Sequence, residues 1–504
     1  MKKLLCATYE GIEAQSVSVE STLTKGLPSF NIVGMANTAI TESKERVKSA
    51  LLSNDFVFPP KRITIGLSPS DLKKEGSQFD LGIALLIVLD HTDLSLDEWY
   101  VFGELGLDGS VKENQLLYPL ILSLVNHVGL SQAIVPMESL EKLSNIPDVH
   151  FYGVNHLNEA IDLLKQLPEN KPTITAKAIS HPFQAIGDQK HYYQEHYPIN
   201  FIDIKGQEVA KRAALISAAG MHNLLLEGSP GCGKSMIAKR LRYILPPLTQ
   251  SELLDIAKLQ SLEGKEPGFE PLRPYRSPHH SSTLASVFGG GTHRAEIGEI
   301  GLAHHGILFF DELPHYSKQV LEALREPLED QKIRISRVHS KVEYPTKFLF
   351  VAAMNPCPCG NLLNKALSCR CSDRDISRYK NRLSDPFLDR IDLYVQMQPI
   401  DPADQASVSS KSLHSQVLET HARQKKRGQT ELNGRLNDEE IERYCVMESE
   451  AKETLDQAIG RFALSFRSIK KIQKTARTIA DLAGEALIQK SHLLEALSFR
   501  RRER

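Results

Sequence analysis

The chain has 504 residues, 41% of them hydrophobic and 24% charged, the balance of a globular protein, which excludes a disordered chain or a disulfide scaffold. Its 61 basic and 62 acidic side chains leave a formal net charge of -1, so any nucleic-acid partner must be held by a local basic surface. The longest apolar stretch, 81–89, is under half of the ~20 residues that span a bilayer, and no signal-peptide pattern opens the chain; both predict a cytoplasmic protein without a membrane partner.

Residues 1–165 read as an α+β unit of their own. Alternating or apolar runs at 3–8, 16–20, 29–33 and 62–68 predict strands, while 41–53 and 79–89 carry helical spacing. The segment Lys73-Lys-Glu-Gly-Ser-Gln-Phe-Asp-Leu81, with 102–111, 133–136 and 149–153, resembles the Lon proteolytic domain, of the ribosomal protein S5 domain 2-like fold. A Ser–Lys dyad needs a hydroxyl nucleophile beside an amine base. Laid on that resemblance, Gln78 stands where the serine belongs and Tyr118 where the lysine belongs, with Ser77 adjacent but facing differently. The resemblance therefore implies a catalytically empty platform. Residues 166–199, rich in proline and polar side chains, predict a linker.

From 200 to 400 strands alternate with helices, which predicts an α/β unit around a parallel sheet. Its most specific signal is Gly228, Ser229, Pro230, Gly231, Cys232 and Gly233, then Lys234, Ser235 and Met236, placed between an apolar run and a helical pattern. Such glycines let backbone N–H groups turn around nucleotide phosphates, with Lys234 on the terminal phosphates and the Ser235 hydroxyl on Mg²⁺. A second buried run, 306–310, ends in Asp311 and Glu312, suited to holding Mg²⁺ and to orienting an attacking water. A third, 348–354, delivers Asn355 to the end of a strand, where ligands of open parallel sheets sit. The cofactors implied are ATP and Mg²⁺.

Three further segments are expected to be functional. Residues 275–294, a polar Gly-rich insert containing His293 and Arg294, exceed what a compact α/β unit needs. Residues 331–342 alternate basic and apolar side chains across a predicted hairpin, so Lys332, Arg334, Arg337 and Lys341 suit either a phosphate backbone or a solvated edge. Cys357, Cys359, Cys369 and Cys371 form two C-x-C pairs that suit tetrahedral structural Zn²⁺ or stand as free thiols.

Residues 401–504 lose the strand signal and predict a helical domain. Arg390 lies in Leu-Asp-Arg-Ile-Asp-Leu393, and Arg467 in the Ser-Phe-Arg that opens a helix. Taken in order, these motifs resemble an AAA+ ATPase of the group containing magnesium chelatase motors and the replicative MCM helicases. The resemblance implies Asn355 as first sensor, Arg390 as an arginine finger offered to a neighbour, Arg467 as second sensor in a lid, and a homo-hexamer. It also implies that the insert and the hairpin line a pore and grip substrate.

With the Lon-like unit in front, and with 351–360, 382–393 and 475–484, the chain is similar to the ComM/YifB family over nearly its whole length. That resemblance implies a hexameric DNA helicase acting on single-stranded and branched DNA in branch migration during natural transformation. Two rivals remain: a magnesium-chelatase motor subunit, whose AAA+ core starts without a Lon-like domain, and a protein-remodelling AAA+ ATPase, which would present an aromatic pore loop.

Overall fold

Fully apolar four- to six-residue runs are what a strand buried on both faces requires, and they become the centre of the second of two units. A computed structural model describes residues 2–500 except 36, 167–171, 175–176, 178, 291–295, 337–340, 365–366 and 402. The chain divides into one unit of residues 1–180, 257–269 and 338–342 and a second made of the rest. Among the described residues no helix is long and apolar enough to cross a membrane.

The first unit is built on a seven-stranded mixed sheet, in the order Ser29–Val33, Arg62–Ser68, Glu13–Thr24, Lys2–Glu10, Tyr100–Val101, Gln132–Pro136, His150–Val154. Alternation dictates its sidedness: Val17, Val19 and Ser21 are buried while the residues between them are not. Helix Asp80–Val88, buried over almost its whole length, packs on the two longest strands. Fully buried Asp80 at its start is held by Arg46 at 2.7 Å. Residues 257–269 pack into this unit through Lys258–Glu13 (2.8 Å), Lys142–Glu266 (2.9 Å) and an edge-to-face contact of Phe269 with Tyr118.

The second unit has a five-stranded parallel sheet, in the order Tyr275–Arg276, Ile307–Phe310, Leu349–Met354, Leu224–Glu227, Leu393–Gln396. Every residue of the three central strands is buried. Helices Glu208–Gly220 and Lys234–Leu241 share its core with the C-terminal helices Ser410–Lys426, Asp438–Tyr444, Ser449–Phe462, Phe466–Ala483 and Lys490–Ser498. Capping sets several of these boundaries: the Ser465 hydroxyl accepts from Ser468 N–H, Asn437 and Glu440 cap each other, and Gly484 closes helix Phe466–Ala483 in the left-handed region.

Part of the passage expected as a linker is folded. Phe183–Ile186 and Gln189–Tyr192 form a hairpin that pairs onto Leu248–Thr249. Local composition hides it, because the third strand arrives from far along the chain.

Candidate functional site

Parallel pairing brings the ends of three strands level. Glu227 pairs with Met354 and Phe310 with Ala352, so the loop after Glu227, the acids after Phe310 and Asn355 after Met354 meet at the C-terminal edge of the sheet. Gly233, at φ 99°, makes the turn into helix Lys234–Leu241 that a side chain would oppose.

Lys234 Nζ donates to Gly228 O at 2.6 Å, Ser229 O at 3.0 Å and Asn355 Oδ1 at 3.1 Å. Burial draws its pKa below the usual lysine range, opposed by Cys232, Asp311 and Glu312. The ammonium is thus held at the mouth of the loop by neutral oxygens that an anion can replace. Ser235 Oγ donates to Asp311 Oδ2 at 2.8 Å, while Asp311 Oδ1 accepts the Glu312 N–H at 2.9 Å. A hydroxyl beside a carboxylate is the hard-oxygen pair Mg²⁺ prefers, so these two residues fit that ion.

Glu312 sits in the left-handed region (φ 50°), which swings its half-exposed carboxylate away from Asp311 toward His315 at 3.3 Å and His280 at 3.7 Å. Neither histidine was singled out from the sequence. Both are contacts made by tertiary folding, and His280 belongs to the polar insert.

Arg390 and Arg467 do not join this cluster. Arg390 precedes strand Leu393–Gln396, whose Leu393 is level with Leu224, whereas the loop follows Glu227 at the other end of four residues of strand. At ~3.3 Å per residue the two levels lie more than 10 Å apart. Arg390 Nε donates to Arg325 O at 3.2 Å and Nη2 to Glu329. Arg467 Nη2 donates to the other oxygen of the same Glu329. Asn223, just before the central strand, ties this end together: its side chain donates to Arg390 O at 2.9 Å and accepts from Phe350 N–H at 3.1 Å, and its own N–H donates to Asp392 at 2.8 Å.

The cysteines converge. Cys357 Sγ lies 3.4 Å from Cys359 and 3.7 Å from Cys369, Cys359 is 3.6 Å from Cys369, and Cys371 completes the group. Sulfurs at ~2.3 Å from one tetrahedral Zn²⁺ stand about 3.8 Å apart, so the four fit that ion. Hydrogen bonds from the Asn361 and Arg370 backbone pull the Cys359 thiol down to about 6. The loop leans on its own chain: a Cβ at Gly360 (φ 78°) would stand 2.5 Å from Pro230 Cδ, and Lys380 of the following helix Asp373–Lys380 reaches Glu227 at 3.1 Å. It therefore buttresses the 228–233 loop.

A second grouping, Asp255, His304 and His305, is a different kind of site. His304 Nδ1 accepts the Lys347 N–H at 3.0 Å, which leaves its proton on Nε2 and no lone pair for a metal. His305 spans Glu252 at 3.3 Å and Asp255 at 3.5 Å; burial lowers its pKa, but those two carboxylates raise it overall. This is a buried ion-pair network.

Strands Lys332–Ser336 and Lys341–Pro345 form the expected hairpin, where Lys332 (3.2 Å) and Arg334 (2.8 Å) both pair with Glu343. Lys341 is placed only by its strand, and Arg337 lies outside the described residues. In the insert, helix Leu284–Phe288 leads to Gly289–Gly290, paired with Glu296–Ile297; His293 and Arg294 lie outside the described residues. In the first unit, Gln78 donates to Ala7 O at 3.0 Å and Glu75 O at 2.9 Å, Tyr118 is buried, and Ser77 donates to Glu104. Among the described residues, the hydrogen bond of the Ser77 hydroxyl goes to a carboxylate and not to an amine.

Family models described as magnesium chelatase subunit ChlI match residues 200–405, as subunit ChlI of Mg-chelatase 19–139, and as magnesium chelatase subunit ChlI C-terminal 407–500. Competence protein ComM of Haemophilus influenzae is 37% identical over 97% of this chain and 95% of its own length. The YifB protein of Escherichia coli is 37% identical over the same shares. The magnesium-chelatase 67 kDa subunit of Heliobacterium mobile is 22% identical over 30% of this chain and 27% of its own.

Proposed function

The chain belongs to the ComM/YifB family of magnesium-chelatase-like AAA+ proteins, and from that premise we propose that it is an ATP-driven, hexameric DNA motor promoting branch migration during recombination, as in natural transformation. The observation that carries the motor is the convergence of Lys234, Ser235, Asp311, Glu312 and Asn355 at one edge of the parallel sheet. ATP would exchange its phosphate oxygens for the carbonyl oxygens that now hold Lys234. Bound Mg²⁺, held through Ser235 and Asp311, supplies charge neutralisation on the phosphates. Glu312 orients a water and takes its proton, and Asn355, already on Lys234, senses the terminal phosphate.

The remoteness of Arg390 from its own 228–233 loop supports a finger used in trans, and therefore a ring. Arg467 shares Glu329 with Arg390, so the same argument assigns the second sensor to a neighbour's nucleotide. We read residues 1–165 as a Lon-like unit emptied of its dyad, 166–199 as a connecting passage partly folded onto the motor, 200–400 as the AAA+ core, and 401–504 as its helical lid.

DNA rests on the competence name of a relative matched along nearly the whole chain and on the two hairpins. The Glu343 pairs of Lys332 and Arg334 are exposed and weak, so a phosphate backbone can displace them. The Heliobacterium chelatase subunit aligns with under a third of the chain, whereas ComM aligns with 97% of it, and that difference favours the ComM reading over metal insertion. ATP turnover should rise with single-stranded or branched DNA, and Lys332→Ala with Arg334→Ala should weaken binding and flatten its salt dependence. Rings that no DNA stimulates would end this reading.

Zn²⁺ in the cysteine cluster would be structural, since thiolates fill all four positions. Purified protein should carry about one zinc per chain, and Cys359→Ser with Cys369→Ser should release it and lower Tm by several degrees. A metal-free wild type with unchanged Tm would contradict this assignment.

A further inference from the structure

We infer that Glu329 is a positioning residue that occupies the two trans-acting arginines until a neighbouring subunit's ATP displaces it. The inference rests on the reading of Arg390 and Arg467 as trans groups. Glu329 lies near the end of helix Arg325–Asp330, immediately before the basic hairpin. Its Oε2 accepts from Arg390 and its Oε1 from Arg467, one guanidinium on each oxygen. Two guanidinium groups sharing the oxygens of one anion are arranged as they would be on two oxygens of a phosphoryl group.

The surrounding contacts make the two arginines one unit. Arg390 is held from behind by Arg325 O and Pro386 O, and Asn223 fixes its backbone. Lys471, one turn beyond Arg467 on helix Phe466–Ala483, donates to Asp389 O and, at 3.1 Å, to Ile391 O, the residues flanking Arg390. Helix Phe466–Ala483 therefore carries Arg467 to the same place as Arg390, and Glu329 is the anion they share. The pair partners are part-exposed, with side-chain exposures of 42% for Glu329 and Arg467 and 12% for Arg390. A phosphate that both arginines prefer can displace such a carboxylate, at a modest cost in affinity that the substitution Glu329→Gln removes.

The measurement is ATP affinity in a Glu312→Gln background, where bound ATP persists. Adding Glu329→Gln should tighten ATP binding by about two- to fivefold, the effect of removing one part-exposed ion-pair competitor. Adding Arg390→Ala and Arg467→Ala as well should abolish the gain. Because Glu329 is part-exposed, the substitution should fold, and equal thermal unfolding midpoints verify it. Unchanged or weaker ATP binding in the Glu329→Gln protein overturns the inference. If the arginine substitutions weaken ATP binding while Glu329→Gln does nothing, the inference falls alone. If removing both arginines leaves ATP binding unchanged, they do not meet bound ATP and the inference falls, while turnover in mixed Arg390→Ala and Lys234→Ala subunits decides the trans reading separately.

Discussion

The Glu312→Gln protein is expected to bind ATP as wild type does and to hydrolyse it about 10²–10⁴-fold more slowly, the range for loss of a positioned proton acceptor. The division of labour between the adjacent acids makes this selective. Asp311 is turned inward, with one oxygen on Ser235 Oγ and the other on the Glu312 N–H, so it belongs to ion binding and loop geometry. Glu312, in the left-handed region, points its carboxylate outward, where a water can meet it. Glutamine keeps the shape and removes the base, so nucleotide affinity measured by titration should persist while turnover collapses. Lys234→Ala should instead lose binding, since the ammonium is the charge that meets the phosphates. Near-normal turnover in the Glu312 variant would reassign the base.

The nucleotide end of the sheet was legible because phosphate chemistry fixes residue types at fixed spacing, and because strands buried on both faces announce themselves as unbroken apolar runs. Boundaries were less legible. Helix Thr38–Ser53 begins three residues before the periodicity suggested, where Asn37 caps Ile40 N–H, and strand Glu13–Thr24 runs well past 16–20 because pairing with Lys2–Glu10 and Arg62–Ser68 sustains it. The residues that escaped sequence reading are those whose meaning is entirely tertiary. Asn223 looks like the polar start of a strand, yet its partners come from 350, 390 and 392. Glu329 looks like one more surface acid before a basic hairpin, and only folding brings residues 390 and 467 onto it. Packing of 257–269 into the first unit is likewise invisible locally, because its partners Glu13, Tyr118 and Lys142 lie far away in sequence.

Arg390→Ala is expected to give subunits that bind ATP, assemble, and turn over about 10³-fold or more slowly, the weight of an arginine finger. Slow turnover alone would not distinguish a trans group from a misplaced structural one, but mixing does. An Arg390→Ala subunit keeps Lys234 and Glu312, and a Lys234→Ala subunit keeps Arg390. Each is inactive by itself. In a ring where Arg390 completes the neighbour's site, an equal mixture should recover about a quarter of wild-type turnover, the share of interfaces that pair an intact loop with an intact finger. If Arg390 served its own loop, no mixture of the two would be active. The structure favours recovery: the side chain is held at the N-terminal end of the parallel sheet by Arg325, Pro386 and Glu329, and its own nucleotide loop leaves the sheet at the opposite end. Reaching that loop would require breaking the Asn223 junction on which strands Leu224–Glu227 and Leu349–Met354 also depend.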